Sequence, residues 1–295
     1  MPINPCPKSA GKARSGMLLM LAAALAGTLA APATAQQRDA ATLVESQAGP
    51  AYAELVTLAR QADMVLVAEI SEQAEVKPER APGLAPGKAR LYLKAETETL
   101  LFGRSAIGTS LAFLADRDLD AKGKAPKLKD QRFLLFARTV AGRPGEMQLV
   151  SPRAMLPAAP DLVERTRTVL RQVAEGGPQP EITGIREVIS IAGNLAGESE
   201  TQMFLATTGG EPVSLTVLRR PGMVPEWGVS WSDIVDPAAR APEAETLEWY
   251  RLACSLPAEL PDEAFLQDEA NARARAREDY AFVLEELGAC DRGTD

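Results

Sequence analysis

The segment at residues 89–103, ARLYLKAETETLLFG, sets Leu91, Leu93 and Ala95 against Tyr92, Lys94 and Glu96. Side chains of an extended chain alternate between two faces, so this pattern predicts a strand with one dry and one wet side. Its length predicts a curved strand rather than a flat one. Four further segments carry strand character: ADMVLVAEI at 62–70, TSLAFLA at 109–115, RFLLFAR at 132–138 and EMQLVSP at 146–152. Five β segments in about a hundred residues, one of them long, predict a closed five-stranded Greek-key barrel. Before them, Tyr52, Leu55, Val56 and Ala59 share one face of a short amphipathic helix.

The chain then changes character. Pro160 and Asp161 open a helical pattern carrying Leu162, Val163, Val169, Leu170 and Val173, and the run Gly176-Gly177-Pro178-Gln179-Pro180 closes it. Beyond this linker, residues 182–191, 201–207, 213–219 and 226–232 read as strands, with Gly209 and Gly210 turning the middle pair. Two helices follow, at 243–254 and 268–287, with Gly288 as a C-terminal cap. A small antiparallel sheet with C-terminal helices packed on it makes the second half an α+β unit.

The first 35 residues are an address. Lys8, Lys12 and Arg14 precede an apolar run at 17–31, and Ala33-Thr34-Ala35 supplies small residues at −3 and −1 of a cut after Ala35. The run is too short and too rich in alanine to span a bilayer, so a cleaved signal peptide is expected and a periplasmic or secreted mature chain with no membrane span. Cleavage removes Cys6 and leaves Cys254 and Cys290, which in an oxidising compartment are expected to form a disulfide. The expected division is therefore signal peptide 1–35, barrel domain with flanking helices 36–175, linker 176–180, and acidic α+β domain 181–295.

Charge separates the two halves as sharply as pattern does. Residues 36–179 hold 20 Lys and Arg against 18 Asp and Glu, whereas residues 180–295 hold 9 against 22, a net of −13. Such a surface repels nucleic acid and anionic lipid and suits a basic partner or divalent cations, or it serves solubility alone. Every lysine of the mature chain lies between Lys77 and Lys129.

The chain contains no histidine, which removes Ser-His and Cys-His nucleophile pairs and the commonest metal ligand. In the loop GNLAGESET at 193–201, Ser199 lies between Glu198 and Glu200, but Thr201 stands where a nucleophile elbow needs glycine. These three residues are the catalytic candidates. Glycoside hydrolysis needs two carboxylates and no histidine, and Glu187, Glu198, Glu200 and Asp233 are available for it, as they are for a solvated acidic face. Trp227, Val229 and Trp231 fall on one side of the fourth strand, either as a binding platform for a glycan or partner, completed by Trp249 and Tyr250, or as core. Asp116, Asp118 and Asp120 have the spacing that begins a calcium loop, but Ala121 and Lys127 occupy the positions that need glycine and glutamate, so no metal is expected. No cofactor motif is present.

The order of the first-half segments, especially VLVAEI, the long strand ending LLFG, and FLLFAR, resembles the OB-type barrel of netrin-like modules and of the tissue inhibitors of metalloproteases. The resemblance implies an OB-like barrel over residues 62–157. Those proteins use paired cysteines near the start of the barrel, which this segment lacks, so their inhibitory chemistry does not carry over. ETQMFLATTGGEPVSLTVLRRPG and LEWYRLAC make the chain similar to a group of exported alphaproteobacterial proteins, a resemblance that implies no activity. The sequence thus predicts an exported, non-enzymatic binding protein of the cell envelope, with another envelope protein or a glycan as partner. The alternatives are a periplasmic hydrolase using carboxylates or Ser199, and a glycan-binding module.

Overall fold

The computed structural model describes residues 49–104, 107–177, 180–232 and 239–293. The expected signal peptide and its cut after Ala35 lie outside the described residues, as do Pro178, Gln179 and Asp233. The chain is α+β, with a large and a small antiparallel sheet and four helices among the described residues.

Helix α1 (Tyr52–Gln61) carries Glu54 in its first turn and Arg60 in its last, complementing the helix dipole. Strands β1 (Met64–Glu75), β2 (Lys88–Gly103), β3 (Ser110–Asp118), β4 (Arg132–Thr139) and β5 (Met147–Leu149) form a sheet in the order β3-β2-β1-β4-β5, and β6 (Met155–Pro157) also pairs with β4. β1 and β4 are apolar on both faces for a reason. Met64, Leu66, Ala68 and Ile70, with Phe133, Leu135 and Ala137, enter a core on one side of the sheet, whereas Val65, Val67, Leu134 and Phe136 lie on the opposite side in the cluster that holds α1. The β1–β2 register shifts at three places, and such irregularities bend a strand as long as β2. At the far edges, β3 and β5 meet through a single parallel bridge, Ala112 to Glu146, where Ala112 N–H donates to Gly145 O at 2.8 Å.

The sheet has six strands where the pattern suggests five. The segment read as one strand over 146–152 stops at Leu149, because Val150 to Ala154 loop away from β4. Val150 N–H donates to Phe136 O, and Ala154 O accepts from Phe136 N–H, so the chain returns to the same edge of β4 as β6.

Helix α2 (Pro160–Glu175) starts with proline at its first turn, where no N–H is missed, and buries Leu162, Thr166, Val169 and Leu170. It ends at Gly176, where a Cβ would meet Leu247 Cδ1 at 2.7 Å and Gln172 O at 2.9 Å. The second sheet is a meander, β7 (Ile182–Ala192), β8 (Ser199–Thr207), β9 (Ser214–Arg219) and β10 (Glu226–Ser230), in the order β10-β9-β8-β7. Helix α3 (Leu247–Ala253) is shorter than the pattern suggests. Glu245 takes a φ of 58°, which breaks a helix, and Thr246 Oγ1 accepts from Trp249 N–H as an N-cap. Helix α4 (Ala270–Leu287) buries Ala272, Ala276, Tyr280, Val283 and Leu287, one stripe against the sheet.

Cys254 and Cys290 lie at disulfide distance, with Cα atoms 5.1 Å apart, joining the end of α3 to the segment after α4. Around them α1, α2 and α3 share a third cluster. Tyr250 is buried there with Leu55, Leu58 and Leu170, while Leu247, Trp249 and both cysteines pack against it. Two hydrogen bonds cross this cluster, Tyr52 Oη to Gln172 Oε1 at 2.8 Å and Thr57 Oγ1 with Tyr250 Oη at 3.0 Å. No helix among the described residues is long and apolar enough to cross a membrane.

Candidate functional site

The meander places its residues in rows across four strands. Val188, Met203, Leu215 and Val229 face α4 and form the core. One residue further along each strand, the row Ile189, Gln202, Thr216 and Gly228 faces the other way, and so does the row Ile191, Glu200, Leu218 and Glu226. No described helix covers this second side. Ile189 and Leu218 are half-buried there, Ile191 is exposed, and Phe204 is half-buried beside Glu187. The face is open and partly apolar.

At the β10 end the open face deepens into a cleft of about 730 Å³. One wall is the chain at 239–241, which crosses directly over Gly228, and Arg240 O accepts from Val229 N–H at 3.3 Å. Only glycine permits that approach, since a Cβ at Gly228 would meet Ala239 C and O at 2.3 Å. Glu200, Gln202 and Thr216 of the open face line the cleft together with Trp227 of the core side and Phe282 and Glu286 of α4. Trp227 Nε1 is buried with no hydrogen-bond acceptor among the described residues.

Both hairpin tips beside the cleft lie at one end of the sheet, because Ala192 pairs with Ser199 and Ser199 with Arg219. Glu198 closes the first tip. Its Oε2 accepts from Asn194 N–H at 3.0 Å and Leu195 N–H at 3.2 Å, and Gly197 takes a φ of 84° in the turn. A second cavity of about 370 Å³ lies here, lined by Ser199, Glu200, Arg219 and Arg220 among others. It shares Glu200, Leu218 and Arg220 with the larger cleft.

All three catalytic candidates line the smaller cavity, but each side chain is engaged differently. Ser199 opens β8, is buried and faces the α4 side, while Glu200 stands on the open face with Oε1 accepting from Gln202 Nε2 at 2.7 Å. Glu198 is committed to its turn. Behind Ser199 lies Asp279, fully buried, which accepts from Arg219 Nε at 2.5 Å and from Thr201 Oγ1. Thr201 has one proton and the carboxylate can only accept, so that proton goes to Asp279 and Ser190 Oγ donates to Thr201 Oγ1 at 2.9 Å. Arg219 also meets Glu278 Oε1 at 3.2 Å. No hydrogen bond joins Ser199 to a base among the described residues. This cluster neutralises a buried charge and ties α4 to β8 and β9.

The remaining sequence candidates sit as follows. Trp227 and Trp231 both pack on the core beneath the sheet, Trp227 at 9% exposure and Trp231 half-buried. Trp249 and Tyr250 do not join them at the cleft. Trp249 Nε1 donates to Leu287 O at 2.8 Å, and its ring meets Tyr52 edge-on at 6.1 Å. Asp116 is held in a bidentate pair by Arg90 at 2.7 and 2.8 Å, and that hydrogen bond lowers its carboxyl pKa. Asp118 pairs with Lys88, and Asp120 Oδ1 accepts from the backbone of Lys122 and Lys124. Glu187 lies 3.8 Å from Arg186.

Sequence reading missed the open face and the Asp279 pair. A signal for the first was present in EVISIA, where Val188 and Ser190 alternate with Ile189 and Ile191, so that β7 is apolar on both sides. Comparison with protein-family models and with curated proteins found no match to this chain.

Proposed function

We propose that the mature chain is an exported, non-enzymatic binding protein of the cell envelope, and that the open face of the second sheet, with its cleft, is the surface that takes the ligand. The observation that carries this reading is a sheet apolar on one side and partly apolar on the other, with a described covering layer on only the first. Export rests on the basic, apolar and small-residue succession up to Ala35 and on a cysteine pair at disulfide distance. The test is capture from an envelope fraction by the mature protein, residues 36–295, beside its Ile191→Lys variant. Retention of a component by the parent and its loss in the variant supports the reading, and equal retention by both removes this face from it.

A glycan is the second reading, favoured by an indole, Trp227, at a cleft also lined by the polar side chains of Gln202, Thr216 and Glu200. Soluble peptidoglycan fragments would then change indole fluorescence in the parent and not in Trp227→Phe. No change in the parent discards this reading.

We also propose that the first sheet is an OB-type barrel of the netrin-like kind. The strand order β3-β2-β1-β4-β5 and the parallel contact between its outer strands at Ala112 and Glu146 support that assignment. In this reading the barrel is the rigid support of the second sheet, through α1 and α2.

A further inference from the structure

We propose that the open face of the second sheet and the two hairpin tips at its end dock a basic amphipathic helix of a partner protein. The inference rests on the binding-protein reading above and gives the ligand a chemistry.

Three observations lead to it. A tract of the face and its tips exposes aliphatic side chains: Ile191 is 57% exposed and Leu195 is 62% exposed on the first hairpin, and Met223 is 56% and Val224 79% exposed on the second. Leu218 and Ile189 continue the tract onto the sheet. Exposed aliphatic side chains gathered at adjacent loop tips are unfavourable in water and mark contact surfaces when contiguous.

The tract is interleaved with carboxylates. Glu200 and Glu226 stand in the same row as Ile191 and Leu218, and Glu198 and Glu286 border the two cavities. Arg220 is paired with Glu226 at 2.8 Å, and Arg219 and Arg240 also line the cavities, so that four carboxylates stand against three guanidinium groups there. The half of the chain that carries this face has a net charge of −13. An apolar stripe flanked by lysine or arginine matches this surface, whereas an acidic partner and an anionic membrane are repelled by it.

The sheet edges decide between a helix and a strand. β7 is met along its outer edge by the chain at Phe265 and Leu266, where Leu266 N–H donates to Val188 O at 3.0 Å, and Gln267 Oε1 accepts from Ser190 N–H. At β10, Arg240 O takes the N–H of Val229. Strand addition therefore meets an edge of β7 already engaged at Val188 and Ser190 and an edge of β10 already engaged at Val229. A helix needs none, because its own backbone is satisfied and it binds through side chains at i, i+3, i+4 and i+7. Laid across the open face, it supplies the covering layer that α4 supplies on the other.

The probe is a synthetic peptide of about 15 residues, four helical turns, with leucine at helical spacing and lysine elsewhere, labelled for fluorescence anisotropy against the mature chain. Binding is expected together with a gain of helical circular dichroism, weakening at least about tenfold in Ile191→Lys/Leu195→Ser and on raising salt from about 0.05 to 0.5 M. Both substituted residues are exposed, so an unchanged melting temperature accompanies the loss. Glu200→Lys weakens binding in the same direction, and the peptide with glutamate in place of lysine does not bind. Equal binding by the double variant overturns the proposal, as does preference for neutral phosphatidylcholine vesicles, or self-association of the chain that the same substitutions abolish. If the peptide fails to bind while envelope capture still depends on Ile191, the binding-protein reading stands and the basic helix falls. If neither occurs, both fall.

Discussion

At the scale of single residues, two buried polar groups set the terms of stability. Asp279 is fully buried and is satisfied by Arg219 and Thr201, so removing the carboxylate leaves a guanidinium and a hydroxyl without their acceptor. Asp279→Ala is expected to cost about 3–5 kcal/mol, read from the urea midpoint, and Asp279→Asn to cost less because its carbonyl still accepts. Tyr52 gives the chain an alkaline limit. Burial first, and Glu245 second, push its phenol from 10.0 up to about 12. The folded chain therefore keeps a proton that the unfolded chain releases, so this contribution is complete below pH 10 and is lost as pH rises toward 12. Tyr52→Phe is expected to flatten the pH dependence of stability in that window. At neutral pH it costs about 1 kcal/mol for the lost bond to Gln172.

At the scale of elements, the cleft depends on one close approach. Gly228→Ala places a methyl within 2.3 Å of the Ala239 carbonyl, so the crossing chain at 239–241 has to shift or β10 has to yield. The expected cost is about 1–3 kcal/mol, with a change in Trp227 fluorescence as the wall moves. Much of this level was legible in the sequence. The long alternating β2, the apolar runs of β1 and β4, helix α2 between Pro160 and Gly176, and the Cys254–Cys290 pair all follow from local pattern and composition. What local pattern misjudged were interruptions. The loop that splits β5 from β6 depends on both returning to one edge of β4, and the late start of α3 depends on a left-handed Glu245. Neither has a periodic signal, because each is a choice between conformations that tertiary partners decide.

At the scale of the whole molecule, the two sheets have separate cores joined by a third. Tyr250 of α3 is buried with residues of α1 and α2, and the cysteine pair packs on the same cluster. Heating is therefore expected to show one cooperative transition for both sheets, with equal calorimetric and van't Hoff enthalpies. Two resolved transitions would mean that the shared cluster contributes little. Replacing both cysteines by serine opens a loop of 36 residues and is expected to cost about 2–4 kcal/mol. Because both cysteines sit at the shared cluster, that loss is expected to lower the single transition rather than split it.

The amino-acid sequence by itself determined the two-part α+β plan, the acidic second half, the cysteine pairing and the absence of a histidine-based site. It also determined which residues share a side, since a period of two assigns Ser199 and Glu200 to opposite faces wherever β8 is placed. Tertiary structure alone decided which of those faces is covered. Val188 and Ile189 are equally suited to a core, and helix α4, more than eighty residues further along the chain, buries the first and leaves the second half exposed. The same packing turned Asp279 from a surface acid into a buried ion-pair partner and left the opposite side of the sheet open as a candidate binding surface. Periodicity is a local property of the backbone, whereas burial depends on where a distant element comes to rest.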